Sequence, residues 1–204
     1  MKHGRPIWLA ALESGIHGCF FYTTPNELLE IAIPILKEGL LQTRERCLWI
    51  LPPKISFREA KEALAQATKL DISLLTQQHK LVLIPRDFWY PDPKIPFDID
   101  AIIKRGKLLM NETVQFGFEG LRIVGHALSS KSPHWEHFLE LEERLGKKLN
   151  RKPITSIAAY SLRETPMEVL DIITSIHAFS LVRHSNNWHL LPGSHPHTLY
   201  PQHA

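Results

Sequence analysis

The sequence predicts an α/β protein built on a single doubly wound, mostly parallel sheet with helices on both faces. Three observations predict it. Strand-like and helix-like stretches alternate along the whole chain, the pattern of βαβ units. The strand-like runs, such as Gly18-Cys19-Phe20-Phe21-Tyr22 and Cys47-Leu48-Trp49-Ile50-Leu51, are too uniformly apolar for a sheet with one wet face. Finally, Ile16 to Ile50 reads as strand, turn, long apolar helix, strand. That is the order in which a nucleotide-binding α/β domain presents its phosphate loop.

Each element has its local reason. Gly18 to Tyr22 forms the first strand, and Pro25 opens the next helix at a favoured first-turn position, capped by Thr24 with Glu27 in the first turn. That helix carries an apolar surface wider than one stripe (Leu28, Leu29, Ile31, Ala32, Ile35, Leu36, Leu40), as expected of a helix buried on more than one side. Cys47 to Leu51 is a strand stopped by Pro52-Pro53, and Ser56 caps a helix through Ala67. Ile72 to Leu75 and Leu81 to Ile84 read as short strands, followed by the aromatic turn Phe88-Trp89-Tyr90-Pro91. Asp98 to Gln115 is helical and Leu121 to Gly125 a strand. Ser132-Pro133 starts a helix to Leu149 with Trp135, Phe138, Leu141, Leu145 and Leu149 as its buried stripe. Ile154 to Tyr160 is a strand, Pro166 to Ser175 a helix and Phe179 to Val182 the last strand. The chain divides into a lead-in (1–15), whose Trp8 and Leu9 pack on the domain edge, one domain (16–192), and a polar, histidine-containing tail (193–204).

The bulk properties exclude several classes. A chain of 204 residues with 44% hydrophobic and 22% charged residues suits one soluble domain with a real core. A net charge of +3, with scattered basic residues, makes no electrostatic case for nucleic acid or for a membrane surface. No segment approaches the roughly 20 apolar residues needed to span a bilayer. Two cysteines in apolar strands, Cys19 and Cys47, fit buried free thiols in a cytoplasmic protein rather than a disulfide framework. Five of the 12 histidines (His184, His189, His195, His197, His203) fall near the C-terminus, where they read as a polar tail with adventitious metal affinity.

In open α/β sheets ligands sit beyond the carboxyl ends of the strands. Those ends hold Tyr22-Thr23-Thr24, Pro52-Pro53, Thr76-Gln77, Arg86 through Tyr90, His126 and Tyr160, an aromatic and hydroxyl-rich inventory suited to a small, moderately polar ligand. A nucleoside triphosphate needs a glycine-rich loop and a lysine after the first strand; Tyr22-Thr23-Thr24-Pro25-Asn26-Glu27 supplies neither, which argues against ATP hydrolysis.

The series His17-x-Cys19-x-x-Tyr22, Glu38-Gly39-Leu40, Cys47-Leu48-Trp49, Trp89-Tyr90, Gly120-Leu121-Arg122-Ile123, Glu142, Tyr160 and Ile173-x-x-Ile176-His177 resembles the MEDS domain, the methanogen/methylotroph sensory domain also found in a dichloromethane-responsive regulator. The resemblance spans Ser14 to Pro192, with Asn187-Trp188 before Pro192 fitting more loosely. It implies a RecA-like fold related to circadian-clock ATPases, with a degenerate phosphate loop. It further implies the sensing of small molecules, such as one-carbon compounds, through His, Cys and Tyr. Relatives stand alone or carry histidine-kinase or DNA-binding modules, so the implied partners are a small-molecule ligand and a histidine kinase or transcription regulator, with no direct nucleic-acid contact. No cofactor, metal or catalytic residue is implied. The chain departs from the pattern at Ala178, where proline is expected after His177, and the expectation is of a sensory domain that stands without an attached output module.

The expected ligand-binding residues are therefore His17, Cys19, Tyr22, Thr23, Thr24, Trp89, Tyr90, Arg122 and Glu142. Spacing divides them. On a regular strand His17 and Cys19 face the same way and Tyr22 the opposite way. At about 3.3 Å per residue, Tyr22 also lies about 16 Å from His17, so one compact pocket cannot use all three unless the strand begins after His17 or bends. Each also has an ordinary role: Cys19 as a core residue, Arg122 paired with a carboxylate such as Glu119, Glu142 and the His134/His137 pair on a solvated helix face, Tyr160 packed with its hydroxyl in water. Two further functions stay open, a Cys/His-dependent or metal-dependent enzyme using His17 and Cys19, and a protein-interaction module that has lost its ligand.

Overall fold

The computed structural model describes residues 12, 14–149 and 152–193. Seven strands form one sheet: β1 (His17–Tyr22), β2 (Glu45–Leu51), β3 (Leu81–Pro85), β4 (Gly120–His126), β5 (Ile154–Ser161), β6 (Phe179–His184) and β7 (Asn187–Pro192). Their order is β3-β2-β4-β5-β1-β6-β7. The first six run parallel and β7 returns antiparallel along β6. Every residue of β1 and of β2 is buried, which is why these strands read as unbroken apolar runs.

Helices cover both faces: α1 (Pro25–Leu41), α2 (Phe57–Thr68), α3 (Ile72–Gln77), α4 (Arg86–Trp89), α5 (Ile99–Gln115), α6 (Trp135–Leu149) and α7 (Leu170–Ile176). One core cluster joins Phe20, Tyr22, Cys47 and Trp49 to the buried side chains of α1 and α2. The other joins Cys19, Phe21, Leu48 and Tyr160 to α5, α6 and α7. The caps are those expected: Thr24 accepts from Glu27 N at α1, and Ser56 and Glu59 form a reciprocal capping box at α2.

Four local expectations change. Ile72 to Leu75 is not a strand but the start of α3, because the Asp71 carboxylate accepts from the Ser73 and Leu74 amides and nucleates a helical turn. The aromatic turn closes as the short helix α4. The helix expected from Pro166 begins as a 3-10 turn, Met167–Val169, before α7. The sheet also gains β7, joined to β6 by Ser185 and Asn186, both at positive φ (48° and 64°), the conformation of a tight two-residue hairpin. The expected packing of Trp8 and Leu9, and the tail beyond Gly193, lie outside the described residues.

Among the described residues, no helix is long and apolar enough to cross a membrane.

Candidate functional site

All six residues of β1 pair in unbroken register with β5, from His17 opposite Ser156 to Tyr22 opposite Ser161. The strand has no bulge, so the parity argument holds: His17 and Cys19 lie under α6 and α7, while Tyr22 projects toward α1. The sequence-predicted residues consequently fall into separate places.

Under α6 and α7 a polar cluster is sealed in the core. His17 is 3% exposed, Glu142 4%, and Cys19, Tyr160 and His177 not at all. The rings of His17 and His177 stack at 4.4 Å between centroids. His177 Nδ1 lies 2.7 Å from the Ile173 carbonyl oxygen, and its Nε2 lies 3.3 Å from Glu142 Oε2. A carbonyl and a carboxylate both accept, so His177 fits as an imidazolium with a proton on each nitrogen. Its electrostatics agree. Burial alone would lower its pKa, but the Cys19 sulfur and the Glu142 carboxylate beside it prevail and raise it to about 10. His17, buried against that cation, is held well below the usual histidine range, by burial first and His177 second. The pair is thus one neutral and one charged imidazole around a single carboxylate.

Cys19 Sγ stands 3.1 Å from Ser180 Oγ. Tyr160 meets the edge of the His177 ring at 5.8 Å, and burial with the Glu142 charge pushes its phenol well above its ordinary value. Tyr160 continues through Phe138 to Tyr90, an unbroken line of ring contacts along this face.

Beside the cluster, between α5, α6 and the sheet, lies a cavity of about 420 Å³. Trp89 and Tyr90 stand on its wall with Ile50, Ile103 and Phe138, and Glu142 is the acid that lines it. Gly106 of α5 borders it too: a Cβ built there meets nothing within 4 Å. Glu142 therefore touches both the cavity and the histidine pair.

On the other face, at the carboxyl ends of β1, β4 and β5, a smaller crevice of about 140 Å³ is lined by Tyr22, Thr23, His126 and Ser161. The Tyr22 hydroxyl lies 2.6 Å from His126 Nε2. Burial, with Arg86 and Lys54 nearby, lowers the His126 pKa to about 3, so its ring is neutral. Thr23 is exposed, and Thr24 is committed to capping α1.

Arg122 belongs to neither place. It is 2% exposed beneath α1, where its Nε donates to Glu45 Oε2 at 2.7 Å. Glu119, the partner expected from sequence, pairs with Arg44 instead. Glu142 is buried rather than solvated, and Tyr160's hydroxyl lies in the core rather than in water. Of the histidine pair expected on a solvated face, His134 is buried against Phe97 and only His137 is exposed. Sequence reasoning placed Phe138 on a buried stripe but in no site, and it singled out neither Gly106 nor Ser180. Glu142 did carry a signal: it lies four residues after Phe138 and three before Leu145, on the apolar stripe itself.

The family model described as the methanogen/methylotroph, DcmR sensory domain matches residues 16–178, four-fifths of the chain. The chain belongs to the MEDS family. No curated protein matches it. Among solved structures, this MEDS domain is similar to a KaiC-like protein from the hyperthermophilic archaeon Pyrococcus horikoshii. The two share 12% identity, with a TM-score of 0.57 over 88% of this chain and 78% of that one. At that identity the likeness speaks for the fold alone, a RecA-like α/β sheet of the KaiC kind. Membership of a sensory-domain family agrees with the arrangement of the MEDS cluster, where signature residues from β1, α6 and the end of α7 meet around Glu142.

Proposed function

We propose that this chain is a non-enzymatic sensory domain. Its ligand fills the cavity between α5 and α6 and hydrogen-bonds Glu142, and the change passes to a partner kinase or transcription regulator. The observation that carries the reading is the contact of one buried carboxylate with both an apolar, aromatic-walled cavity and a histidine pair. The polar groups fix orientation and the apolar walls supply affinity, the usual division of labour in small-molecule sites. Because Glu142 is already matched by the His177 cation, the ligand group that suits this end of the site is a neutral hydrogen-bond donor; Lys107, Lys148 and Lys152 line the cavity as well. The space exceeds a one-carbon compound: at roughly 30 Å³ per water-sized group, the cavity takes about a dozen non-hydrogen atoms. A ring-bearing or branched alcohol fits this description better than methanol.

Two features support a sensor over an enzyme. The connection between β1 and α1 has no glycine or lysine, and Thr24 and Pro25 occupy the helix start, which we read as a phosphate loop lost. Cys19 is fully buried against Ser180, poor placement for a nucleophile.

Calorimetry and thermal shift of the purified chain against graded alcohols, one-carbon compounds and ATP test the reading. Saturable binding by the larger neutral molecules, abolished in Gly106→Leu, is expected. ATP turnover, or binding indifferent to Gly106→Leu, would sink it.

A further inference from the structure

The buried cluster contains more polar atoms than its own hydrogen bonds use. Neither nitrogen of His17 nor the Tyr160 hydroxyl makes a hydrogen bond of good geometry among the described residues; Ser156 and Glu142 stand near the His17 ring, and Glu142 near the phenol, only as weak partners. Buried polar groups in folded proteins are almost always well satisfied, so three weakly satisfied atoms around one carboxylate call for a chemical explanation. Glu142 Oε2 lies 3.3 Å from His177 Nε2 and 3.5 Å from His17 Nε2. A donor atom from each of the three residues falls within 4.8 Å of the other two.

We propose that His17, Glu142 and His177 form a binding site for a divalent cation of the zinc class. The donor set decides the class: two imidazoles with one carboxylate suit zinc and its first-row neighbours, whereas calcium and magnesium require oxygen ligands. Distance supports it. Bonds of about 2.0–2.2 Å place tetrahedral ligand atoms about 3.3–3.5 Å apart, the separation of two of these pairs already. His177 is oriented for the task, because its Nδ1–H is tied to the Ile173 carbonyl, and the cation would take the place of the proton on Nε2, which is released to solvent. An outer hydrogen bond on the second nitrogen is the usual support of a metal-bound histidine.

His17 must turn. Its ring lies against His177 with planes 26° apart, and coordination needs its edge rather than its face. Gly146 of α6 borders the ring without a side chain of its own; a Cβ there would stand 2.9 Å from the Ile176 carbonyl oxygen and 3.4 Å from His17 Cδ2. Cys19 is not assigned as a ligand, because its sulfur is directed at Ser180. A bound cation would fasten the first residue of β1 and the C-cap of α7 to the middle of α6.

The site shares Glu142 with the cavity, but its test is separate. Zinc binding here with no cavity ligand keeps this inference and removes the other; the reverse result does the opposite.

The full-length protein, prepared without chelator and then stripped, is titrated with zinc by calorimetry and with cobalt by visible absorption. The C-terminal histidines compete for metal, so a His195→Gln/His197→Gln variant is titrated in parallel. The expected result is one zinc per chain that survives in the tail variant, and a tetrahedral cobalt spectrum without a thiolate charge-transfer band. Glu142→Gln and His17→Gln should each weaken zinc binding by more than the roughly 10–100-fold that loss of an outer-shell partner costs. Circular dichroism identifies a variant that fails to fold; if one does, the other variant and the wild-type cobalt spectrum decide. Binding that disappears with the tail histidines, survives in both cluster variants, or shows a thiolate band overturns the assignment.

Discussion

Gly106 offers a test in which one substitution is read against its own control. Gly106 lies within α5 and is not at positive φ, unlike Gly15 and Gly117 among the described glycines, so its backbone accepts any L-residue. Replacing glycine by alanine in a helix interior gains about 0.8–1 kcal/mol. A Cβ at this position meets nothing within 4 Å, so no overpacking cost offsets the gain. Gly106→Ala should therefore raise stability by about 1 kcal/mol, or roughly 2–4 °C in midpoint for a domain of this size. Gly39, within α1, receives the same helix-propensity gain. There a Cβ would stand 2.5 Å from Cys47 Sγ and 2.9 Å from Arg122 Cδ. Overpacking of that kind costs about 1–3 kcal/mol, so Gly39→Ala should be neutral to destabilising. Urea denaturation of the two variants measures the difference. Equal effects, or a loss of stability in Gly106→Ala, would show that the space beside α5 is filled and would remove the cavity from the argument.

Two further outcomes follow from buried charges. Arg122→Met or Glu45→Gln alone should cost about 3–5 kcal/mol in chemical denaturation, because each strands the other charge in the core, while the double replacement Arg122→Met/Glu45→Leu should recover most of the loss. A single variant costing under about 1 kcal/mol would refute the assignment, and binding in the α5–α6 cavity should be unchanged, since Arg122 lies on the opposite face. His126 makes stability fall with acid. Its pKa drops from 6.5 unfolded to about 3 folded, so between those values the unfolded chain binds more protons, and stability rises with pH. Acidification from pH 7 to pH 5 should remove about 2 kcal/mol through this one ring, at 1.36 kcal/mol per unit below 6.5. His126→Gln should flatten that part of the curve, and an unchanged slope would mean that the ring reaches water.

What was legible in the sequence follows from which physics is local. The fully covered strands announced themselves as unbroken apolar runs, and the caps at Thr24 and Ser56 are fixed by residues one turn away. The parity of β1 was legible too, because a regular strand leaves no freedom: Tyr22 had to part from His17 and Cys19. Non-local partners were not legible. Arg122 had several acids within reach in sequence, and only the β2–β4 register selects Glu45 over Glu119. Tyr160 reads as a strand end, yet α6 and α7 close over it. The segment Ile72 to Leu75 could serve as strand or helix until Asp71 chose, and β7 shows the alternating exposure of an edge strand without an Asn-Gly turn to mark it.

The location of the site also changes what the fold is used for. Ligand crevices of open α/β sheets lie beyond the strand ends, and this chain keeps one there, at Tyr22 and His126. The larger of the two spaces lies instead across the face of the sheet, under α5 and α6. A molecule held there touches both helices, so its binding is coupled to their positions in a way that binding at a strand end is not. Glu142 stands on α6, with the cavity on one side and the β1 and α7 histidines on the other. Any change in what the carboxylate bonds, whether to a ligand hydroxyl or to a cation, alters its hold on His177 and hence the junction of α7 with β6. Glu142→Gln keeps the shape and the cavity but removes the charge, so it separates the two roles. If the cavity supplies affinity and the carboxylate supplies the signal, the variant should still bind an apolar ligand, while the ligand-dependent change in α7 amide-exchange protection disappears. Intact transmission in that variant would place the signal elsewhere.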